Sequence, residues 1–304
     1  MVCKICSKEF PGDAEFHKHL RSHKITQCEY FQKFHPRFDL FDKSIIKFKN
    51  KDYYFNTSFN SRGNLKRWLS SASPEVGQKY VRDYLTIRKE KKGLVYAPSQ
   101  IELRTMPLPG LKYIKEHFGD DKQFFLDIGL KPRFTQEFLD ESLFTDISNK
   151  VIFTDSREQC PLEFDNTTRT KGMKYGDYRI AGSHIRIERK SVADMWGTLS
   201  GGFERFNREI IRAKKDGAYL VILVEGPFDE LEKFPLQAQV RNKIKIGIEY
   251  INHNIRDLLQ KHQNIQILFT KNREEASRII QKIFSAGEQV KNVDLQYNMD
   301  INKL

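Results

Sequence analysis

Eight residues near the middle of the C-terminal half, AYLVILVE (218–225), are apolar up to the last. The run is too short for a buried helix and rich in β-branched residues. It does not alternate, so it suits a strand covered on both faces. Before it, Phe203, Phe206, Ile210 and Ala213 recur at three- and four-residue spacing, an amphipathic helix that Gly217 can end. After it, Val240, Ile244, Ile248, Ile251, Ile255 and Leu258 mark a long helix, IQILF a strand and EEASRIIQKIF a last helix. Strands alternating with helices in this way imply an α/β fold, a mixed sheet with helices on both sides.

Upstream lie three stretches that carry charge at strand ends: VIFTDSREQC, KGMKYGDYRI and HIRIERKSVAD. Ten residues separate Asp177 from Glu188-Arg189-Lys190. Alternate side chains of a strand share a face, so Glu188 and Lys190 point one way, while Arg189 points the other with Ile185 and Ile187. One face is then chemical and the other structural. Carboxylates beside a lysine suit phosphodiester hydrolysis. The acids hold Mg²⁺, which lowers the pKa of a bound water and offsets the charge building on the phosphate. The lysine orients the attacking water.

Asp155-Ser-Arg-Glu158 after a short apolar strand, Gly176-Asp177-Tyr178, and Glu188-Arg-Lys190 with Asp194 four residues on resemble the nuclease domain of the XPF family of structure-specific DNA endonucleases. LSGGFERFNREIIRAKKDGAYLVILVEG continues the resemblance, which covers roughly 151–286. It implies a restriction-endonuclease-like core and a Mg²⁺- or Mn²⁺-dependent endonuclease acting on branched or otherwise structured DNA. Asp155, Asp177 and Glu188 are then the metal ligands and Lys190 the water-positioning group, with Glu158 and Asp194 as further site residues. It also implies a homodimer or heterodimer formed through the nuclease domain. The family's tandem helix-hairpin-helix motifs are not expected in the 18 residues after 286, and 287–304 read as a polar tail.

Residues 1–24 contain Cys3-x2-Cys6-x12-His19-x3-His23 with Phe10 and Phe16 at the two apolar positions. The pattern resembles a single C2H2 zinc finger, a ββα module whose two thiolates and two imidazoles give one structural Zn²⁺ its tetrahedron. Its base-facing positions would be Gly12, Glu15 and Lys18, a poor reading set, so docking on duplex and docking on protein both stay open.

Residues 25–92 hold 15 Lys/Arg against 7 Asp/Glu and interleave them with aromatics. IIKFKN and YYFNTSF read as strands and NLKRWL as a helix start, giving a small basic α+β module whose cations contact DNA phosphates. Its aromatics are equally compatible with an ordinary core. Across 93–150 the balance reverses to 7 basic against 9 acidic residues, and Pro107, Pro109 and Gly110 break a connector with short helices.

The net charge of +12 at a pI near 9.4 favours a polyanionic partner, DNA, over a membrane, for which no apolar span exists. Two of four cysteines sit in the zinc pattern, and Cys28 and Cys160 have no spacing partner. No disulfide framework is expected, which places the chain in a reducing, intracellular, DNA-associated setting: the cytoplasm of a prokaryotic or phage-infected cell, or a nucleus. Two other functions fit parts of the pattern. One is a sequence-directed (homing or site-specific) endonuclease guided by the N-terminal half. The other is a non-catalytic DNA-binding scaffold, against which stands the cost of burying unpaired carboxylates in one cleft.

Overall fold

The computed structural model describes residues 1–234 and 246–304 and divides into two compact units. Val240 and Ile244, expected in a long helix, lie outside the described residues.

The first unit comprises Met1–Val81 with Pro107–Pro109. Its helices are α1 (Asp13–Leu20), α2 (Gln27–Phe34), α3 (Lys51–Asn56), α4 (Arg62–Ser71) and the start of α5 (Pro74–Lys92). The zinc-finger pattern folds as expected, a single antiparallel bridge between Val2 and Glu9 preceding α1. It does not keep a core to itself. Phe16 and Leu20 of α1 join Tyr30 and Phe31 of α2 with Ile46 and Tyr54 in one buried cluster. Thr26 and Glu29 form a reciprocal capping box that starts α2.

The strands expected at IIKFKN and YYFNTSF are not there. Ile45 makes one bridge to Phe38, and Lys51–Asn56 is helical. Asn50 explains the second difference: its side chain accepts from Tyr53 N and caps α3, so a single face, centred on Tyr54, is buried. The basic module is therefore helical with bridged loops rather than α+β.

The second unit comprises Arg82–Met106 and Gly110–Leu304. Three short helices come first: α6 (Gln100–Arg104), α7 (Leu111–Phe118) and α8 (Asp121–Asp127). The six strands among the described residues, β1 (Ile152–Thr154), β2 (Thr168–Thr170), β3 (Tyr178–Ile180), β4 (Ile185–Ser191), β5 (Tyr219–Glu225) and β6 (Ile265–Thr270), form one sheet in the order β2-β1-β3-β4-β5-β6. β3 is antiparallel to both β1 and β4, while β1–β2, β4–β5 and β5–β6 are parallel pairs. This is the mixed sheet expected from the alternating pattern.

One face packs Ile185, Ile187, Val221 and Leu223 against α13 (Arg273–Ala286) and the segment after it. The other packs Leu220, Ile222 and Val224 against α9 (Val192–Leu199), α10 (Phe203–Lys215), α11 (Phe228–Lys233) and α12 (Ile248–Lys261). The run 219–224 is buried at every position, as its lack of alternation requires.

The segment expected as a connector, apart from Pro107–Pro109, is built into this unit. Arg133, almost fully buried, donates to the carbonyls of Leu259 at 2.6 Å, His262 at 3.2 Å and Ile265 at 2.6 Å, tying the end of α12 to the start of β6. Gln260 donates to Glu102 at 2.8 Å, and Asp294 accepts from Gln100 N at 2.7 Å.

Residues 287–304, expected as a polar tail, are instead packed. Val290, Val293 and Leu295 lie in the core, and α14 (Leu295–Asp300) follows. The reason is a buried glutamine on β6. Gln266 donates to the carbonyls of Val290 at 2.7 Å and Val293 at 3.1 Å and accepts from Leu295 N at 3.0 Å. Gln296 returns the exchange by accepting from Phe269 N at 2.8 Å. Polar residues that satisfy each other inside the fold look like a solvated tail in sequence.

Candidate active site

The chemical residues stand where β1, β3 and β4 meet. Gly176, at a φ of +71°, makes the turn into β3; a Cβ there would lie 3.1 Å from both Arg186 Cβ and the Ile187 carbonyl oxygen. The positive φ and the close backbone approach together favour glycine there. Asp177 N then donates to Ile187 O at 2.7 Å and Asp155 N to Asp177 O at 2.8 Å, which sets the three strand ends side by side. The Asp177 carboxylate accepts from Arg189 N at 2.7 Å.

Glu188 and Lys190 share a face, as strand alternation predicts, and pair at 2.8 Å with both side chains only 12% exposed. The Lys190 ammonium also sits 4.9 Å from the centre of the Phe206 ring on α10. Arg189, on the other face, bridges Glu225 (Nε to Oε2, 2.6 Å), Glu158 (3.3 Å) and the Cys160 carbonyl (3.1 Å). Arg273 reaches the same loop, donating to Cys160 O at 2.9 Å. Glu158 thus belongs to the wall that holds the site, and its charge acts on Asp177.

The electrostatics separate the acids. Burial first, and the like charge of Glu188 second, push Asp177 up to about 7. Asp155 is the opposite case: hydrogen bonds from Arg157 hold its carboxyl below the usual range. Its Oδ1 accepts from Arg157 N at 2.8 Å and Nε at 2.9 Å, its Oδ2 from Arg157 Nη2 at 3.1 Å and Met173 N at 2.7 Å. Asp194 stands apart. It is exposed and accepts from the Ser191 hydroxyl at 2.7 Å, closing the cap of α9, while Lys190 pairs with Glu188 instead.

Sequence reasoning missed Glu209. It lies on α10 one turn beyond Phe206, and burial followed by the charge of Glu188 pushes its carboxyl up, with Lys190 opposing. Its charge also acts on Arg157. The helix face was read from its arginines, Arg205, Arg208 and Arg212, which are exposed. The available signal was the three-residue step from Phe206 to Glu209, which puts both over the sheet.

Asp177, Glu188 and Glu209 are half-buried, and the charge of Glu188 acts on each of the other two, a repulsion of the kind that a hard divalent cation relieves, although their ligand atoms do not all lie within 4.8 Å of one another.

Among the described residues, the group of three or more Cys, His, Asp or Glu whose ligand atoms all lie within 4.8 Å of one another is Cys3, Cys6, His19 and His23. Cys3 Sγ lies 3.6 Å from His23 Nε2, Cys6 Sγ 3.2 Å from His19 Nε2, and the two Nε2 atoms 3.0 Å apart. Bond lengths of about 2.0–2.3 Å to zinc give tetrahedral edges of roughly 3.3–3.8 Å. The Cys3–His23 separation falls in that range and the other two slightly below it, a cluster compatible with that ion.

A family model described as the ERCC4 domain matches residues 148–283. Among solved structures, this chain is similar to XPF from Aeropyrum pernix in a complex with DNA. The identity is 20% with a TM-score of 0.35, over 45% of this chain and 64% of that one. It is also similar to another structure of XPF from Aeropyrum pernix, at 23% identity and a TM-score of 0.33, over 44% of this chain and 59% of that one. The match thus spans less than two thirds of the length of either. None of the curated proteins compared matches.

Proposed function

We propose, from the premise that the C-terminal half of this chain is an ERCC4 domain of the XPF nuclease family, that it is a metal-dependent endonuclease for branched or otherwise structured DNA. The observation that carries the reading is the charge conflict at the strand ends: Asp177 and Glu188 repel each other in a cleft where Lys190 is held ready beside them. Asp177 and Glu188 would hold Mg²⁺ or Mn²⁺, with Asp155 contributing once Arg157 yields its carboxylate. The ion, when bound, supplies Lewis-acid activation of water and charge neutralisation at the phosphate.

This chain's own residues supply the rest. Lys190, fixed between Glu188 and the Phe206 ring, orients the attacking water. Arg189 keeps the 158–160 loop against the strand ends so that the acids keep their spacing. The Cys2His2 cluster holds one structural zinc, and the basic N-terminal half meets the DNA backbone.

The test is cleavage of labelled duplex, fork, flap, junction and single-stranded DNA with Mg²⁺, Mn²⁺ or chelator. Cutting confined to branched substrates and abolished by chelator is expected. Lys190→Ala should keep metal binding yet lose about a hundredfold or more in turnover. Cutting of one linear duplex at a fixed position would favour the sequence-directed alternative. Metal-independent binding without cutting would favour the scaffold.

A further inference from the structure

Large apolar side chains of the basic segment differ sharply in burial. Tyr30, Phe31 and Tyr54 are core. Phe38, Leu40, Phe41 and Ile45 are not: they stand 52%, 37%, 36% and 48% exposed within one eight-residue loop. Large apolar side chains exposed singly are ordinary, whereas four together on one turn ask for an occupant.

The turn is rigidly built. Phe38 and Ile45 pair as an antiparallel bridge, and Lys43 takes a left-handed conformation at the tip with φ of +60°. Asp39, fully buried, accepts from Phe41 N at 2.8 Å, Asn60 N at 2.6 Å and Asn64 Nδ2 at 2.8 Å. Asp42 accepts from Ser44 N at 2.9 Å and Asn64 Nδ2 at 2.9 Å. Asn64 in turn accepts from Arg67 Nη2 at 2.8 Å, which aims that guanidinium over the Phe41 ring at 4.8 Å. A buried carboxylate and an asparagine on α4 therefore hold apolar rings outward with a cation beside them.

We infer that this turn is a stacking wedge for unpaired or frayed DNA bases. The inference rests on the structured-DNA reading above and deepens it. A base offers an aromatic ring a π-face and, across its sugar, a phosphate for a neighbouring cation. Lys43 in the turn, Lys47 two residues beyond it and Arg67 over the Phe41 ring are exposed, and the segment 25–92 carries 15 Lys/Arg against 7 Asp/Glu. Within an intact duplex the base faces are already stacked, so the rings gain contact only at ends, junctions and unpaired stretches. The wedge thus discriminates structure without reading sequence.

The experiment uses the full chain without added Mg²⁺ or Mn²⁺. It compares binding to a fork carrying 2-aminopurine at the junction with binding to a duplex of equal length. Phe41→Ala and Phe38→Ala should each weaken fork binding about tenfold, since stacking on one ring contributes that much or more, and leave duplex binding within about twofold. Wild type should change the 2-aminopurine emission; Phe41→Ala should not, and Phe41→Trp should restore it. Zinc content and circular dichroism equal to wild type show that the variants fold. Equal losses on fork and duplex, or no loss on either, overturn the inference. So does unchanged fork binding with lost self-association, or with lost binding to anionic phospholipid vesicles, which would assign the turn to a second copy or a membrane. No Phe41 effect alongside intact metal-dependent cleavage sinks the wedge alone. A clear Phe41 effect without wild-type cleavage sinks the nuclease reading alone.

Discussion

At the scale of residues, the role proposed for Asp177 sets function against stability. A carboxyl raised from 3.8 to about 7 binds its proton more tightly in the folded than in the unfolded state. Without metal, its contribution to stability is therefore present below about pH 4 and is lost as pH rises towards 7. Asp177→Asn removes that loss: it should abolish cleavage, raise metal-free stability near pH 7 by about 1–3 kcal/mol, and flatten the stability profile between pH 4 and 7. Urea unfolding across that range is the measurement. A variant that cuts no DNA and is also less stable than wild type would show the acid to be a structural partner. Glu209→Gln should weaken Mn²⁺ binding about tenfold, read by direct metal titration, while leaving the fold intact. Unchanged affinity would move Glu209 out of the proposed metal site.

At the scale of elements, legibility followed the kind of burial. β4 and β5 were readable because their side chains are sorted by polarity, Glu188 and Lys190 on one face and an unbroken apolar run next door. α3 was not, because YYFN carries ring-bearing residues whose spacing fits either period, and the decision fell to the cap at Asn50. The last segment was misread for a different reason: Gln266, Gln296, Asn298 and Asp294 are buried yet paired, and pairing is invisible in a linear string. Asp177, Glu188 and Lys190 were legible from spacing; Glu209 and the Arg157 clamp on Asp155 came only with the packing of α10 and the turn after β1. Gln266→Ala tests the buried pairing. It leaves the Val290 and Val293 carbonyls and Leu295 N without partners and should destabilise the protein by at least about 2 kcal/mol in urea unfolding. A loss below about 0.5 kcal/mol would mean that the apolar contacts alone hold the segment.

At the scale of the molecule, the two units are expected to respond separately to loss of zinc. Cys6→Ser opens the Cys2His2 cluster, and because Phe16 and Leu20 share a core with Tyr30, Phe31 and Tyr54, the damage should extend beyond the finger. Calorimetry should show one transition lowered or lost and the other unmoved. Residues 1–81 carry 15 Lys/Arg against 8 Asp/Glu, so the same variant should bind DNA with a shallower dependence on salt. A single transition shifted as a whole would show that the two units unfold as one.

The paired glutamines also bear on what the sheet can join. Among the described residues β6 is one of its two edge strands, with β2 at the opposite side, and an edge strand is where another polypeptide can add itself by backbone pairing. Here a side chain, Gln296, already occupies Phe269 N, and the backbone of 290–295 lies fastened alongside by Gln266. Extension of the sheet on that side first requires the 290–296 stretch to let go. A proteolytic cut near residue 287 would then do more than shorten the chain: it would uncover a template for aggregation.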